Sequence, residues 1–378
     1  MRWHAEMSSQ DASRKPLPPL ALYVHLPWCV RKCPYCDFNS HGVGRGAELP
    51  EAEYLAALLD DLDADLPLAA GRPLVSIFFG GGTPSLMSAE FYSRFLAELA
   101  KRLPLAGNIE ITLEANPATV ERGRFLGYRR AGINRLSLGV QSFQGDQLRA
   151  LGRIHSGDDA EAAVEEARAA GFDNLNLDLM HGLPDQTLAH AMDDLQQALA
   201  LDPGHISWYQ LTIEPNTVYW SKPPLLPEDD CLWDIQEQGL ALLTSHGYHQ
   251  YEVSAHARDG QQARHNLNYW QFGDFLGIGA GAHGKVSHND GRIERYWKTR
   301  QPDDYLRGDR PQRAGTQLLS DDELPFEFMM NALRLTAGVP TSLFCQRTGL
   351  ALKSLEPGWK QAKQRGLMHD SQQLATTE

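Results

Sequence analysis

The chain has 378 residues, 42% hydrophobic and 22% charged, which predicts a packed globular core and excludes a disordered chain. Lys and Arg number 35 against 48 Asp and Glu, so the net charge is −13. That balance argues against sequence-independent nucleic-acid binding, which needs basic patches.

Residues 1–19 read as a polar tail without the apolar segment of a signal peptide, so a cytoplasmic location is expected. No membrane segment is expected either. The uncharged stretch from Pro73 to Ala89 is cut by Gly80-Gly81-Gly82-Thr83-Pro84. Residues 20–214 alternate strand-like and helical patterns. Strands are predicted at Ala21–Leu26, Leu74–Phe79, Asn108–Glu114, Arg135–Val140, Asn174–Met180 and Ile206–Leu211. Tyr54, Leu55, Leu58, Leu59, Leu62 and Leu66 recur at helical spacing between the first two. Further helices fit Ala89–Leu103, Thr119–Ala131, Asp158–Ala170 and Leu188–Leu201. Such β-α units build an open sheet or a barrel, and six of them suggest a partial (β/α)6 barrel open on one side. Residues 215–318 read as an accessory region. It contains a proline-rich stretch, a helix at Asp230–His246, a strand at His249–Ser254, and a glycine-rich loop from Gly277 to Gly284. Residues 319–378 read as a small, mainly helical C-terminal domain. Its tail beyond Gly366 is short and polar, so a closing strand and helix are not expected.

Of five cysteines, Cys29, Cys33 and Cys36 fall within eight residues, directly after the first predicted strand. Loops after barrel strands form the active-site face. Three thiolates can hold three irons of a cubane cluster. The other reading is a structural zinc site, but that wants a fourth ligand and none is near. Cys231 and Cys345 have no partner spacing and read as small buried hydrophobes.

The Cys-x3-Cys-x-aromatic-Cys string formed by Cys29, Cys33, Tyr35 and Cys36 resembles the cluster motif of radical S-adenosylmethionine (SAM) enzymes. The longer string Tyr23-Val-His-Leu-Pro-Trp-Cys29 is similar to that of the coproporphyrinogen dehydrogenase-like group. The resemblance implies a radical-SAM partial barrel and a [4Fe-4S] cluster on Cys29, Cys33 and Cys36. The open iron would be chelated by SAM, and reductive cleavage of the sulfonium would give a 5′-deoxyadenosyl radical. It further implies SAM contacts from Tyr23, Gly81 and Glu114. Tyr35, Gly82, Thr83, Gln141, Arg153 and Asp178 match contacts to a second SAM in porphyrinogen-oxidising relatives. Those relatives carry a fourth cysteine where this chain has Phe38. The departure favours the heme-chaperone branch of the group over oxygen-independent coproporphyrinogen III dehydrogenase, the alternative, and so favours a carrier over an enzyme.

His265-Asn266-Leu267-Asn268-Tyr269-Trp270 resembles the heme-binding motif of that branch. His265 is then the expected heme ligand, with Tyr269 and Trp270 packing on the porphyrin, and heme release is expected below about pH 6, near the free imidazole pKa. His283, in the glycine-rich loop, is a weaker choice, since the resemblance there lies in SAM contacts and the residue also reads as part of a turn. The partners implied are heme, a heme-acceptor protein that is free to be membrane-associated, and an electron donor for the cluster. Nucleic acid is not among them.

Overall fold

The computed structural model describes residues 16–377 apart from 45, 47, 119–122, 310 and 370–372. Most of the 1–19 tail and the start of the helix expected from Thr119 lie outside the described residues.

All six expected strands form. They are Leu20–Leu26 (β1), Leu74–Gly81 (β2), Leu105–Ala115 (β3), Arg135–Gln141 (β4), Leu175–His181 (β5) and His205–Gln210 (β6). They pair in that order, each parallel to the next. Helices cross between them at Glu51–Ala69 (α1), Ala89–Arg102 (α2), Phe125–Ala131 (α3), Gly157–Ala169 (α4) and Leu188–Ala200 (α5). Strand alternation sorts the side chains. Leu22, Val24, Leu136, Leu138, Leu177 and Leu179 join one continuous core with the helices. Within it, Phe79 meets Tyr92 and Phe95 edge-on at 4.9 and 5.6 Å. The intervening Ser137 and Asp178 turn to the opposite face and line a cavity. Ser156 caps α4 in a reciprocal box with Asp159, which explains where that helix begins.

The region 215–318 does not stand apart as an accessory unit. It supplies six strands that extend the sheet at both edges. Beyond β6 lie His249–Glu252 (β7) and Ala255–Ala257 (β8), antiparallel. Beyond β1 lies Asp274–Ile278 (β9), parallel to it. His283–Ser287 (β10), Ile293–Lys298 (β11) and Arg313–Leu318 (β12) follow, antiparallel. The result is one twelve-stranded sheet in the order β12-β11-β10-β9-β1-β2-β3-β4-β5-β6-β8-β7. Helix Asp229–Ser245 (α6) packs beside α5.

The C-terminal part is mainly helical, as expected, with Leu324–Ala332, Thr341–Thr348 and Glu356–Gln364 around Phe328, Phe344 and Leu355. The tail corrects one expectation. Gln373–Leu374 pairs antiparallel with Val339–Pro340, and Met368 bridges Thr376. Leu374 and Ala375 are buried, and that apolar pair returns the otherwise polar end to the domain. Among the described residues, no helix is long and apolar enough to cross a membrane.

Candidate functional site

The cluster loop is closed at its neck. Trp28–Cys29 pairs with His41–Gly42, and the amides of His41 and Val43 donate to the carbonyls of Pro27 and Cys29. This pins the intervening residues over the C-terminal ends of β1 and β2. The Cys36 amide donates to the Cys33 carbonyl at 3.2 Å, and Cys36 Sγ lies 3.6 Å from Ser40 Oγ. Burial pushes the Cys29 thiol up to about 11 and raises Cys36 as well.

Gly82 and Thr83 run directly beneath. Their amides donate to the carbonyls of Leu26 and Trp28, each at 2.7 Å. A side chain at Gly82 would strike the Trp28 carbonyl. Gly81 has φ +119, and a side chain there would strike the His25 ring. Glycine is required at both positions by backbone packing as much as by any ligand.

One cavity of about 540 Å³ gathers the expected site. It is lined by Cys29, Cys33, Cys36, Tyr35, Gly81, Gly82, Thr83, Glu114, Gln141, Arg153 and Asp178, every expected cluster and SAM residue except Tyr23. Glu114, at the end of β3, accepts from the Gly81 amide at 3.2 Å. Asp178 accepts from Ser137 Oγ and Asn176 Nδ2 at 3.0 and 2.8 Å. Gln141 sits at a bulge between β4 and β5 with φ +69, which turns its side chain to accept from Tyr209 OH at 2.9 Å. Arg153 donates to the Gly139 carbonyl at 2.6 Å and lies 3.8 Å from Cys33 Sγ.

The cavity fits a cluster better than a single ion. Among the described residues, no three His, Cys, Asp or Glu side chains converge closely enough to hold one metal ion. Zinc needs its thiolates about 2.3 Å from one centre. Three thiols spread along one loop suit a cluster in which each holds a different iron.

Burial, and then the Asp178 charge, raise the Glu114 carboxyl to about 8. A carboxyl raised on folding contributes stability at low pH and loses it as pH rises through its folded value. Glu114→Gln is therefore expected to be more stable than the parent above about pH 8, by a margin that closes as pH falls toward the ordinary carboxylate range. Urea unfolding of the SAM-free chain at several pH values measures this, and a pH-independent difference would contradict it.

Tyr23 and His25 share a face of β1 and line a second cavity instead, of about 360 Å³. His265 is set apart from both cavities. It lies on helix Arg264–Trp270 (α7), whose first amides donate to Glu110. It is 4% exposed and lines neither cavity. Its ring stacks on Phe78 at 4.5 Å and meets Tyr269 edge-on at 4.3 Å. Burial lowers its pKa to about 3, below that of a free imidazole. Trp270 packs under Arg334 at 4.3 Å, so it offers no open face either. The helix places its polar motif residues inward, where they plug the sheet below Phe78.

Several lining residues escaped the sequence reading. Ser137 and Ser207 sit between apolar neighbours on β4 and β6, the same pattern that marked Asp178, and could have been found by it. Glu252 and Ser254 carry no local signal. They reach the cavity because β7 and β8 return antiparallel at the sheet edge.

The radical SAM superfamily profile matches residues 23–198, and the HemN C-terminal domain profile matches residues 319–378. The chain is 53% identical over 352 residues to the heme chaperone HemW of Escherichia coli, covering 93% of this chain and 92% of that one. It is 54% identical over 344 residues to the HemW of Haemophilus influenzae, covering 90% and 89%. It is 35% identical over 360 residues to the HemW of Bacillus subtilis, covering 93% of each. Among solved structures, Escherichia coli coproporphyrinogen III oxidase (HemN) superposes with a TM-score of 0.80 at 24% identity, covering 97% of this chain and 88% of that one, a likeness of fold.

Proposed function

The chain belongs to the heme chaperone HemW family of the radical SAM superfamily, and from that premise we propose that it binds heme and passes it to an acceptor protein. The observation that carries the reading is Phe38. It stands where the porphyrinogen-oxidising relatives have a fourth cysteine, and it is 63% exposed at the cavity mouth. A phenyl ring can neither ligate iron nor transfer a proton, but it can pack on a porphyrin.

In this reading Cys29, Cys33 and Cys36 hold a [4Fe-4S] cluster, and Arg153 sets a positive charge beside the Cys33 sulfur. When bound, the cluster supplies an electron that can cleave the sulfonium of SAM. The glycine segment before Thr83 leaves backbone open to the cavity. Glu114 and Asp178 offer acceptors to an ammonium or to ribose hydroxyls. Tyr35, Gln141 and Tyr209 wall the remaining sides. Tyr23 stands behind this cavity, within the electrostatic reach of Glu114. A heme acceptor, which is free to lie at a membrane, and an electron donor for the cluster are the protein partners, in the cytoplasm.

Anaerobic reconstitution with iron and sulfide, followed by hemin titration and a coproporphyrinogen assay on the same sample, tests this. About one heme per chain without porphyrinogen turnover is expected. Catalytic conversion of coproporphyrinogen would replace the chaperone reading with the enzyme one.

A further inference from the structure

The cluster loop has an outer face as well as the inner one that walls the cavities. Phe38 lines both cavities and is 63% exposed. Three cations flank it: Arg31 shares the wall of the first cavity with it, Arg300 shares that of the second, and Lys32 Nζ donates to the Phe38 carbonyl at 3.0 Å. All of them are exposed, and none makes an ion pair among the described residues. Lys32 and Arg300 both lie within electrostatic reach of the His41 imidazole at the neck of the loop. Asp303 lies within the same reach, and Asp37 lines the second cavity beside Arg300. Three cations against these two carboxylates leave the face positive, on a chain whose net charge is −13.

An exposed aromatic centre with a cationic rim has the anatomy of a protein contact site. Electron-transfer encounters between proteins are small, under about 1,200 Å², so one ring and a few side chains supply much of the contact. The face is also where an electron has to enter. Arg31 and Lys32 lie between Cys29 and Cys33, and Phe38 is two residues past Cys36, so a carrier seated here is separated from the cluster by the loop alone. We infer that the electron donor of the proposed function is a small acidic carrier protein that docks on Phe38, with its carboxylates on Arg31, Lys32 and Arg300. The carrier is oxidised by one electron and the cluster reduced by one, with no bond formed or broken. The rest of the chain supplies specificity by repulsion. Its acidic surplus disfavours other approaches of an acidic carrier and steers the encounter to the loop.

The inference rests on the cluster of the proposed function, and the experiment separates the two. The full chain, with its cluster reconstituted anaerobically, is mixed with a photoreduced flavodoxin as the acidic carrier, and cluster reduction is followed by visible absorption and EPR. Affinity for the same flavodoxin is measured separately by fluorescence anisotropy. Arg31→Glu combined with Lys32→Glu is expected to slow reduction by about 10–100-fold at low salt and to weaken affinity with it. The difference should close at 1 M salt, where charges are screened within about 3 Å. Phe38→Ala is expected to slow reduction at every salt concentration, because salt does not screen packing. Photoreduced 5-deazariboflavin, small and uncharged, should reduce the charge-reversed chain as fast as the parent, and unchanged cluster absorption reports an intact loop. Equal rates with flavodoxin in the charge-reversed chain, or an equal slowing with deazariboflavin, would overturn the docking face and leave the cluster in place. So would a parent chain that deazariboflavin reduces and flavodoxin does not. A parent chain that takes up no iron and sulfide would overturn the cluster reading and this face with it.

Discussion

Serine in place of Cys29, Cys33 or Cys36 is expected to take the reconstituted chain from about four irons and four sulfides to nearly none. Each thiol holds a separate corner of the proposed cluster, and a serine hydroxyl, protonated at neutral pH, is no substitute for a thiolate. The loop around them does not depend on the sulfurs. Its neck is held by backbone pairing of Trp28–Cys29 with His41–Gly42, and by Asn39, whose amide donates to the carbonyls of Ala280 and Arg300 at 2.9 and 2.8 Å. The serine variants should therefore fold and still fail to load. Serine at Cys231 or Cys345 should leave iron and sulfide unchanged. Cys231 packs against the main core and Cys345 against the C-terminal one, away from the cavity. Iron and acid-labile sulfide analysis with visible absorption measures both sets. One zinc per chain with no iron uptake would sink the cluster assignment.

Lys298→Met is expected to destabilise the fold by about 3–5 kcal/mol, the cost of leaving buried carboxylates without their cation. Lys298 ends β11 and is 1% exposed. Its ammonium bonds Asp61 and lies 2.7 Å from Asp65, both on α1 and both 1% exposed. Arg313 reaches Asp65 at 2.6 Å, and Tyr305 donates to Asp61 at 2.7 Å. Burial raises the Asp61 carboxyl and the lysine opposes it, so removal of the lysine lets burial prevail. The cost is not only global. Asp61 also accepts from the Gly279 amide at 3.1 Å, and the adjacent Ala280 carbonyl receives Asn39 of the cluster loop. Cluster uptake should fall along with stability. Adding Asp61→Asn to Lys298→Met should recover part of the loss, because it removes one of the stranded charges. Urea unfolding at neutral pH measures all three chains. A loss under about 1 kcal/mol would mean that Arg313 alone neutralises the site.

Much of this was legible in the residues themselves, and where it was not the reason is physical. Strand positions, their parallel order and the cluster loop follow from period-two alternation, crossover lengths and cysteine spacing, all of which are properties of short stretches of chain. Asp178 between two leucines announced its own direction, since a strand's side chains must alternate. The six-residue motif from His265 to Trp270 drew attention by its residues, but neither the helix it forms nor the way that helix faces was legible in it. Long-range packing turned His265 inward, because Phe78 on β2 offers its ring a stacking partner and Glu110 takes up the amides at the start of α7. The region after Glu214 lost its regular pattern in sequence because its strands are short and pair antiparallel at two distant edges. The 254-residue jump that sets β9 beside β1, Leu20 pairing with Asp274, leaves no local trace. That same closure brings His283 and Arg300 to the cluster loop. Residues so far apart in the chain meet only because the sheet spends its hydrogen bonds joining them, and no window of sequence contains both sides of such a bond.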